Sequence, residues 1–405
     1  MNDPLWSRSD VGERDLRLPV RVLVTAQRFG FGPAAAMAQV FEYLRPRVRH
    51  LAFAGSGHTC DVHLQLPYDA VHRLPADERD GAFGRLCAEY DACLIACDFS
   101  AAEAARDAGV PFAIYDPIPW FWTQWPSVGK SAALYMCQNF FGVGARVREV
   151  GRESVVIVPP LLPALPQAAA ERSLQVLFNL GGLCNPYQSL EVSVAYARLA
   201  MSLLPGAAGL YPEVHVATSQ SIVEQLAREV PAARTLSPRE AQELLGRGEL
   251  AVMTPGLGNI YEAAALAHRV FWLPPANNSQ GQQLDMLRQR GLAPFMADWH
   301  DLLPGRAPID YYDHEPRAMR HITDAIHEAA GDPAVAERLW ARFMDAHRMP
   351  ATPNPLSPLL EEFGTGGARA VAECFVQRTL VPLTRTPRGP RMDTLDLPPH
   401  PRAER

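Results

Sequence analysis

The sequence predicts an α/β fold of two similar domains, each a parallel sheet with helices on both faces, meeting at a cleft and followed by C-terminal helices. Three observations carry that reading. Short apolar strands alternate with amphipathic helices through most of the chain, the pattern of a sheet covered on both faces. The alternation stops at the Pro- and Ala-rich stretch "IVPPLLPALPQAAAER" and then restarts. Each half opens with a strand running into glycines, Gly30 and Gly32 in the first and Gly181 and Gly182 in the second. The expected divisions are a first domain at 1–158, a linker at 159–172, a second domain at 173–365, and a C-terminal helix with a disordered tail at 366–405. With 405 residues, 48% of them hydrophobic, the chain can fill two cores.

In the first half the strands are "VRVLVTA", "RHLAFAG", "ACLIACD" and "PFAIYD". After the first strand, Pro33 takes a first helical position and Met37, Val40, Phe41 and Leu44 share one face. "FSAAEAARDAG" reads as a helix with Ser100 as cap and Gly109 as stop. The second half repeats the scheme with "LQVLFNLGG", "EVHVATS", "ELAVMTPG" and "RVFWLPP". Helices follow at "AVAERLWARFMDAH" and "ARAVAECFVQRTLV". The final stretch, "TRTPRGPRMDTLDLPPHPRAER", has too few apolar residues to pack and is expected to be disordered.

A net charge of -6 argues against a nucleic-acid partner. Lys130 is the single lysine, a compositional bias before it is a functional sign. The seven cysteines form no C-x-x-C pair. Cys87, Cys93 and Cys97 cluster around an apolar run and read as buried thiols in a reducing compartment. The N-terminus has no apolar signal region and no run could span a bilayer, so a cytoplasmic protein is expected. No Asp-x-Asp pair and no ligand-spaced His or Cys group is visible, so neither metal nor cofactor is expected.

Gly30, Gly32 and Ala35 fit G-x-G-x-x-A. A dinucleotide site is a poor fit all the same. Gln27, Arg28 and Phe29 separate the strand from the first glycine, and the second strand ends in "FAGSGHT" without a carboxylate for a ribose. A phosphate loop at "SVGKS" fails because Gln124 stands where its first glycine belongs. The informative stretch is "AVMTPGLGNIYEAAALAHRVFWLPPANNSQGQQL". A strand ends at Thr254, Gly256 and Gly258 turn the chain, and Asn259 is expected to cap a helix. The N–H groups of Gly258, Asn259 and Ile260 would then face an anion. Glu262 falls at the third helical position of that scheme, as half of a capping box or as acceptor for two ribose hydroxyls. The next strand runs into five amides, Asn277, Asn278, Gln280, Gln282 and Gln283. They are either a polar surface loop or a set of partners for sugar hydroxyls.

This order of parts resembles the donor half of GT-B glycosyltransferases, the glucuronosyltransferase and lipid-linked N-acetylglucosaminyltransferase families. The resemblance covers residues 20–301 and is sharpest over 251–284. It implies two Rossmann-like domains and a UDP-sugar donor. Phosphates would lie on Gly258, Asn259 and Ile260, the ribose on Glu262, and the sugar on Gln280, Gln282 and Gln283, with Leu236, Gly256, Asn278 and Ser279 also on the donor side. Gly30, Gly32, Gly181 and Gly182 correspond to the first loops of the two domains. Two departures stand out: Gln27, Arg28 and Phe29 occupy the loop where many such enzymes carry a catalytic His, and amides replace an Asp-Gln pair. The base must come from elsewhere, in the order Asp116, Asp98, His58, each of which has an equal claim to be a helix cap or a satisfied polar group. Arg28 is the expected partner of a uronate carboxylate.

Trp120, Phe121, Trp122 and Trp125 follow the strand ending at Asp116. Either they pack the domain or a flat acceptor stacks on them, with Phe29 beside it and Gln138 and Asn139 reading its polar edge. The whole chain resembles cytosylglucuronate synthases, which join glucuronic acid from UDP-glucuronate to cytosine in nucleoside antibiotic biosynthesis. The expectation is a metal-independent transferase with a UDP-sugar donor and a small-molecule acceptor. Transfer to another small molecule or a lipid, and nucleotide-sugar binding without catalysis, are the alternatives.

Overall fold

The computed structural model describes residues 17–75, 79–162, 173–349 and 353–385. Most of the expected linker and all but the first two residues of the expected disordered tail lie outside these ranges.

The first sheet starts with β1 (Leu18–Ala26), whose last five residues are all buried. The helix α1 (Gly32–Leu44) follows, opened by Pro33 and burying Met37, Val40, Phe41 and Leu44 on the face that periodicity indicates. Next come β2 (Val48–Gly55), β3 (Ala70–Arg73) and β4 (Ala92–Ala96). The helix α2 (Phe99–Asp107) corrects the expected cap: Asp98, not Ser100, accepts from the Ala101 N–H at 3.1 Å. The first sheet is completed by β5 (Phe112–Asp116), β6 (Leu134–Gln138) and β7 (Val155–Val158). Strands β3, β6 and β7 were not individually expected. β6 hides inside the aromatic-rich segment, and β3 and β7 are too short for their alternation to show.

All seven strands are parallel, in the order β3-β2-β1-β4-β5-β6-β7. The direction of winding reverses between β1 and β4, so loops leaving these two strands diverge and open a crevice at their carboxyl ends.

The second sheet consists of β8 (Ser173–Asn179), β9 (Glu213–Ala217), β10 (Ala233–Arg234), β11 (Gly248–Met253) and β12 (Val270–Trp272). Its order is β10-β9-β8-β11-β12, again parallel throughout. Four of its helices bear on the site: α3 (Pro238–Arg247), α4 (Leu257–Leu266), α5 (Asn278–Arg288) and α6 (Glu315–Ala329).

The chain then returns to the first domain. Helix α7 (Gly367–Phe375) and the turns after it bury Val371, Ala372, Phe375 and Leu380 in the same cluster as Met37, Val40 and Phe41 of α1. Val371, Phe375 and Leu380 each contribute about 1.5–3 kcal/mol on burial. The crossing starts where the Gly367 N–H donates to the Pro160 carbonyl at 3.1 Å. An aromatic seam joins the domains beside the cleft: Phe141 meets Phe363 edge-on at 5.0 Å, and the Tyr261 hydroxyl donates to the Asn139 carbonyl at 2.6 Å. Among the described residues no helix is long and apolar enough to cross a membrane. Cys87, Cys93 and Cys97 are free and buried, as their apolar surroundings predict.

Candidate active site

Between the carboxyl ends of the two sheets lies a cavity of about 410 Å³. Its waist is a backbone contact between the first loops of the two domains. The Gly30 N–H donates to the Cys184 carbonyl at 2.7 Å, with Gly30 in the left-handed region at φ +57°. A Cβ on Gly182 would stand 2.8 Å from the Gly30 carbonyl carbon, so only glycine allows this approach.

His58 props the same loop from behind. Its Nε2 lies 2.7 Å from the Gly30 carbonyl, which can only accept, so Nε2 carries the proton. Burial, opposed by that hydrogen bond and reinforced by the Arg28 charge, drives the imidazole down to about 4. His58 does not line the cavity, and neither does Arg28, whose stem runs beside Gly57.

The second-domain wall is built on α4. The helix begins earlier than the sequence suggests, with Gly256 as N-cap and Leu257 as first residue. Glu262 is therefore sixth, not third, and the Asn259–Glu262 capping box does not form. Ile260 is also changed in standing, because its N–H donates to the Gly256 carbonyl at 2.9 Å. The first-turn N–H groups, which lack intrahelical partners, are those of Leu257, Gly258 and Asn259. The Asn259 side chain braces the loop, donating to the Thr254 carbonyl at 2.9 Å and accepting from Asn179 at 3.3 Å. A Cβ at Gly258 would meet no protein atom within 4 Å.

Glu262 is half-buried and lines the cavity. Burial raises its carboxyl to about 7, against a weak pull downward from the Gln242 amide at 3.4 Å. Leu236 arrives through α3, whose start is fixed by a reciprocal Ser237–Glu240 capping box. After β12, Asn277 caps α5, accepting from the Gln280 N–H and the Ser279 hydroxyl, each at 2.9 Å. Gln280 and Ser279 line the cavity, as does Gln283, which is only 2% exposed and whose carbonyl oxygen has no hydrogen-bond partner among the described residues. Gln282 instead donates to the Tyr311 carbonyl at 2.7 Å, and Asn278 is buried off the cavity.

The first-domain wall is mostly aromatic, with Phe29, Phe31, Phe121 and Trp122 on the cavity. Trp122 is held by a hydrogen bond from its indole N–H to the Asp116 carboxylate at 2.9 Å. Asp116 also accepts from the Tyr135 hydroxyl at 2.6 Å and the Ile118 N–H at 2.9 Å. Burial pushes its carboxyl up and these bonds pull it back. Asp116 lies behind Trp122 and off the cavity, as does the helix cap Asp98. Gln138 lines the cavity while its carbonyl oxygen takes the Tyr115 hydroxyl at 2.5 Å. Trp120 packs on Phe140 at 5.8 Å and Asn139 sits at the domain seam, both outside the lining. Cys97, at the end of β4, lines the cavity with a positive φ of 55°, a conformation that costs a non-glycine residue about 1–3 kcal/mol.

One group escaped the sequence reading. Glu315 opens α6 and lines the cavity, half-buried, with the Tyr187 hydroxyl donating to it at 3.0 Å. An acidic residue in a first helical turn is so common that no signal marked it. Glu262 and Glu315 are the two carboxylates lining the cavity, and no Lys, Arg or His lines it among the described residues. No group of three or more His, Cys, Asp or Glu among those residues could hold a metal ion.

No protein-family model and no curated protein matches the chain. Among solved structures it is similar to the glycotransferase of kitacinnamycin, at 16% identity over 89% of this chain and 99% of that one, with a TM-score of 0.46. The spinosyn rhamnosyltransferase SpnG complexed with thymidine diphosphate aligns at 14% identity over 84% and 99%, TM-score 0.46. A Staphylococcus aureus MnaA–UDP co-structure aligns at 13% over 91% and 99%, TM-score 0.48. Likenesses this distant carry no argument about activity.

Proposed function

We propose that the protein is a glycosyltransferase, moving a sugar from a nucleoside diphosphate held by the second domain to a small planar acceptor held by the first. The observation that carries this is a single cavity with two unlike walls. One wall offers the unpartnered N–H groups of a helix start, a carboxylate further along that helix, and a cluster of amides. The other is aromatic and uncharged, with Trp122 braced edge-in by Asp116.

The positive end of α4 suits a departing diphosphate, whose charge grows as the bond to the anomeric carbon breaks. Glu262 suits a ribose diol, and the orphaned Gln283 oxygen suits a sugar hydroxyl. UDP is the proposed nucleotide. A ligand at 100 times its Kd adds about 2.7 kcal/mol of stability, so thermal shifts with UDP-, GDP- and dTDP-sugars test the donor class directly.

The specific pair we propose is cytosine with UDP-glucuronate. Trp122 and Gln138 support a flat base with a polar edge. A neutral hexose donor is a second reading, favoured by the lack of a basic side chain along the lining and by the position of Arg28 outside it. Incubation with cytosine and either UDP-glucuronate or UDP-glucose, read by mass spectrometry, separates the two. An adduct with neither, in a protein that UDP stabilises, rejects cytosine and leaves the broader transferase reading.

A further inference from the structure

We infer that Glu315 is the general base that takes the proton from the acceptor as it attacks the sugar. This rests on the transferase reading above. The three residues that the sequence offers as bases are each committed elsewhere: Asp116 to Trp122 and Tyr135, Asp98 to the cap of α2, and His58 to the Gly30 carbonyl. None of them lines the cavity, and Glu262 and Glu315 are the carboxylates that do. Glu262 belongs to the helix that takes the nucleotide, which leaves Glu315 for the proton.

Its setting fits that work. Although α6 is part of the second domain, Glu315 lines the same cavity as Cys97 and Trp122 of the first domain. The carboxylate therefore borders the space that an acceptor on the first-domain wall would enter. Tyr187 donates to one oxygen at 3.0 Å and fixes the carboxylate's orientation. Burial raises the Glu315 carboxyl above the usual range, with the Tyr187 bond opposing, which makes it a stronger base than an exposed glutamate.

In the step itself, the nucleophile's lone pair forms a bond to the anomeric carbon. The bond from that carbon to the diphosphate oxygen breaks, and its electron pair leaves with the diphosphate. The N–H or O–H proton of the nucleophile passes to Glu315, so the carboxylate ends as a carboxylic acid and no further reactant is needed.

The test compares an acceptor that must lose a proton with one that has none to lose. Wild type, Glu315→Gln and Glu315→Asp are each supplied with UDP-glucuronate or UDP-glucose, and with cytosine or sodium azide. Glu315→Gln is expected to keep its stabilisation by UDP and to lose about 100-fold or more in transfer to cytosine. Its formation of glycosyl azide should stay within about threefold of wild type. Glu315→Asp should recover part of the cytosine activity. Equal transfer to cytosine by wild type and Glu315→Gln would overturn the assignment, and so would equal losses with both acceptors, which would indicate a positional role. If wild type yields no product with either acceptor although UDP binds, cytosine is rejected as the acceptor and this inference falls with it.

Discussion

On the proposed function, Glu262 couples nucleotide binding to pH. Its ordinary value of 4.5 is raised to about 7 because burial withholds water from the charged form. Ribose hydroxyls donate hydrogen bonds, so they favour the ionised carboxylate. UDP affinity should therefore rise as pH increases through about 7, and calorimetry between pH 6 and 8 should show that rise flattened in Glu262→Gln. Loss of the carboxylate in Glu262→Ala should weaken UDP by about 1.5–3 kcal/mol, and unchanged affinity in a folded variant would remove the ribose role. His58 works in the opposite sense. Its value falls from 6.5 to about 4 on folding, so its contribution is complete above pH 6.5 and is lost as pH falls toward 4. At roughly 1.4 kcal/mol per unit this amounts to about 3 kcal/mol. His63, stacked on Phe53 and lowered by burial to about 3, adds to the same trend. Denaturation at pH 7.5 and 4.5 should show the drop, and His58→Gln should reduce it.

At the scale of the element, α4 trades stability for access. A glycine in its first turn is a poor helix former, yet nothing in the protein occupies the space a Cβ would fill at Gly258. Gly258→Ala should thus raise the melting temperature of the free protein slightly, by up to about 0.5–1 kcal/mol. It should also weaken UDP binding, because the new methyl group would stand where the proposed diphosphate meets the helix end. A variant with unchanged UDP affinity would argue that the diphosphate lies elsewhere. The same helix shows the limit of reading ends from sequence. Asn259 is a favoured cap residue, but Gly256 takes that position because β11 ends at Met253 and the tight turn leaves Leu257 free to begin the helix. Asn259 then turns its amide back on Thr254 and becomes a brace.

In the whole molecule, two distant contacts decide whether the walls form one site. The approach of Gly182 to Gly30 sets the width of the cleft. Gly182→Ala should force the loops apart, increase the radius of gyration seen by small-angle scattering, and depress transfer more than UDP binding, since the nucleotide wall lies within one domain. Equal scattering and equal activity would show that the contact is dispensable. Phe375, near the end of the chain, is fully buried in the first domain's core. Phe375→Ala should cost about 3–5 kcal/mol, measurable by chemical denaturation.

The sequence by itself determined the two α/β halves, the glycine-turned loops at the cleft and the ordered series from Gly256 to Gln283, because these depend on local periodicity and turn chemistry. Pro33 and the α1 face were equally legible, being set by neighbours within a few residues. Tertiary structure alone decided which polar groups reach the cavity. Asp116 ends β5 and Asp98 follows β4 on the same side of the sheet, yet Trp122 and Tyr135 consume the first and a helix start the second. Trp122 lines the cleft while Trp120, two residues away, packs on Phe140. Glu315 lies far along the chain from Tyr187, which donates to it, and carries no local mark. Side-chain direction and long-range proximity are set by how the sheets pack, which no window of sequence contains.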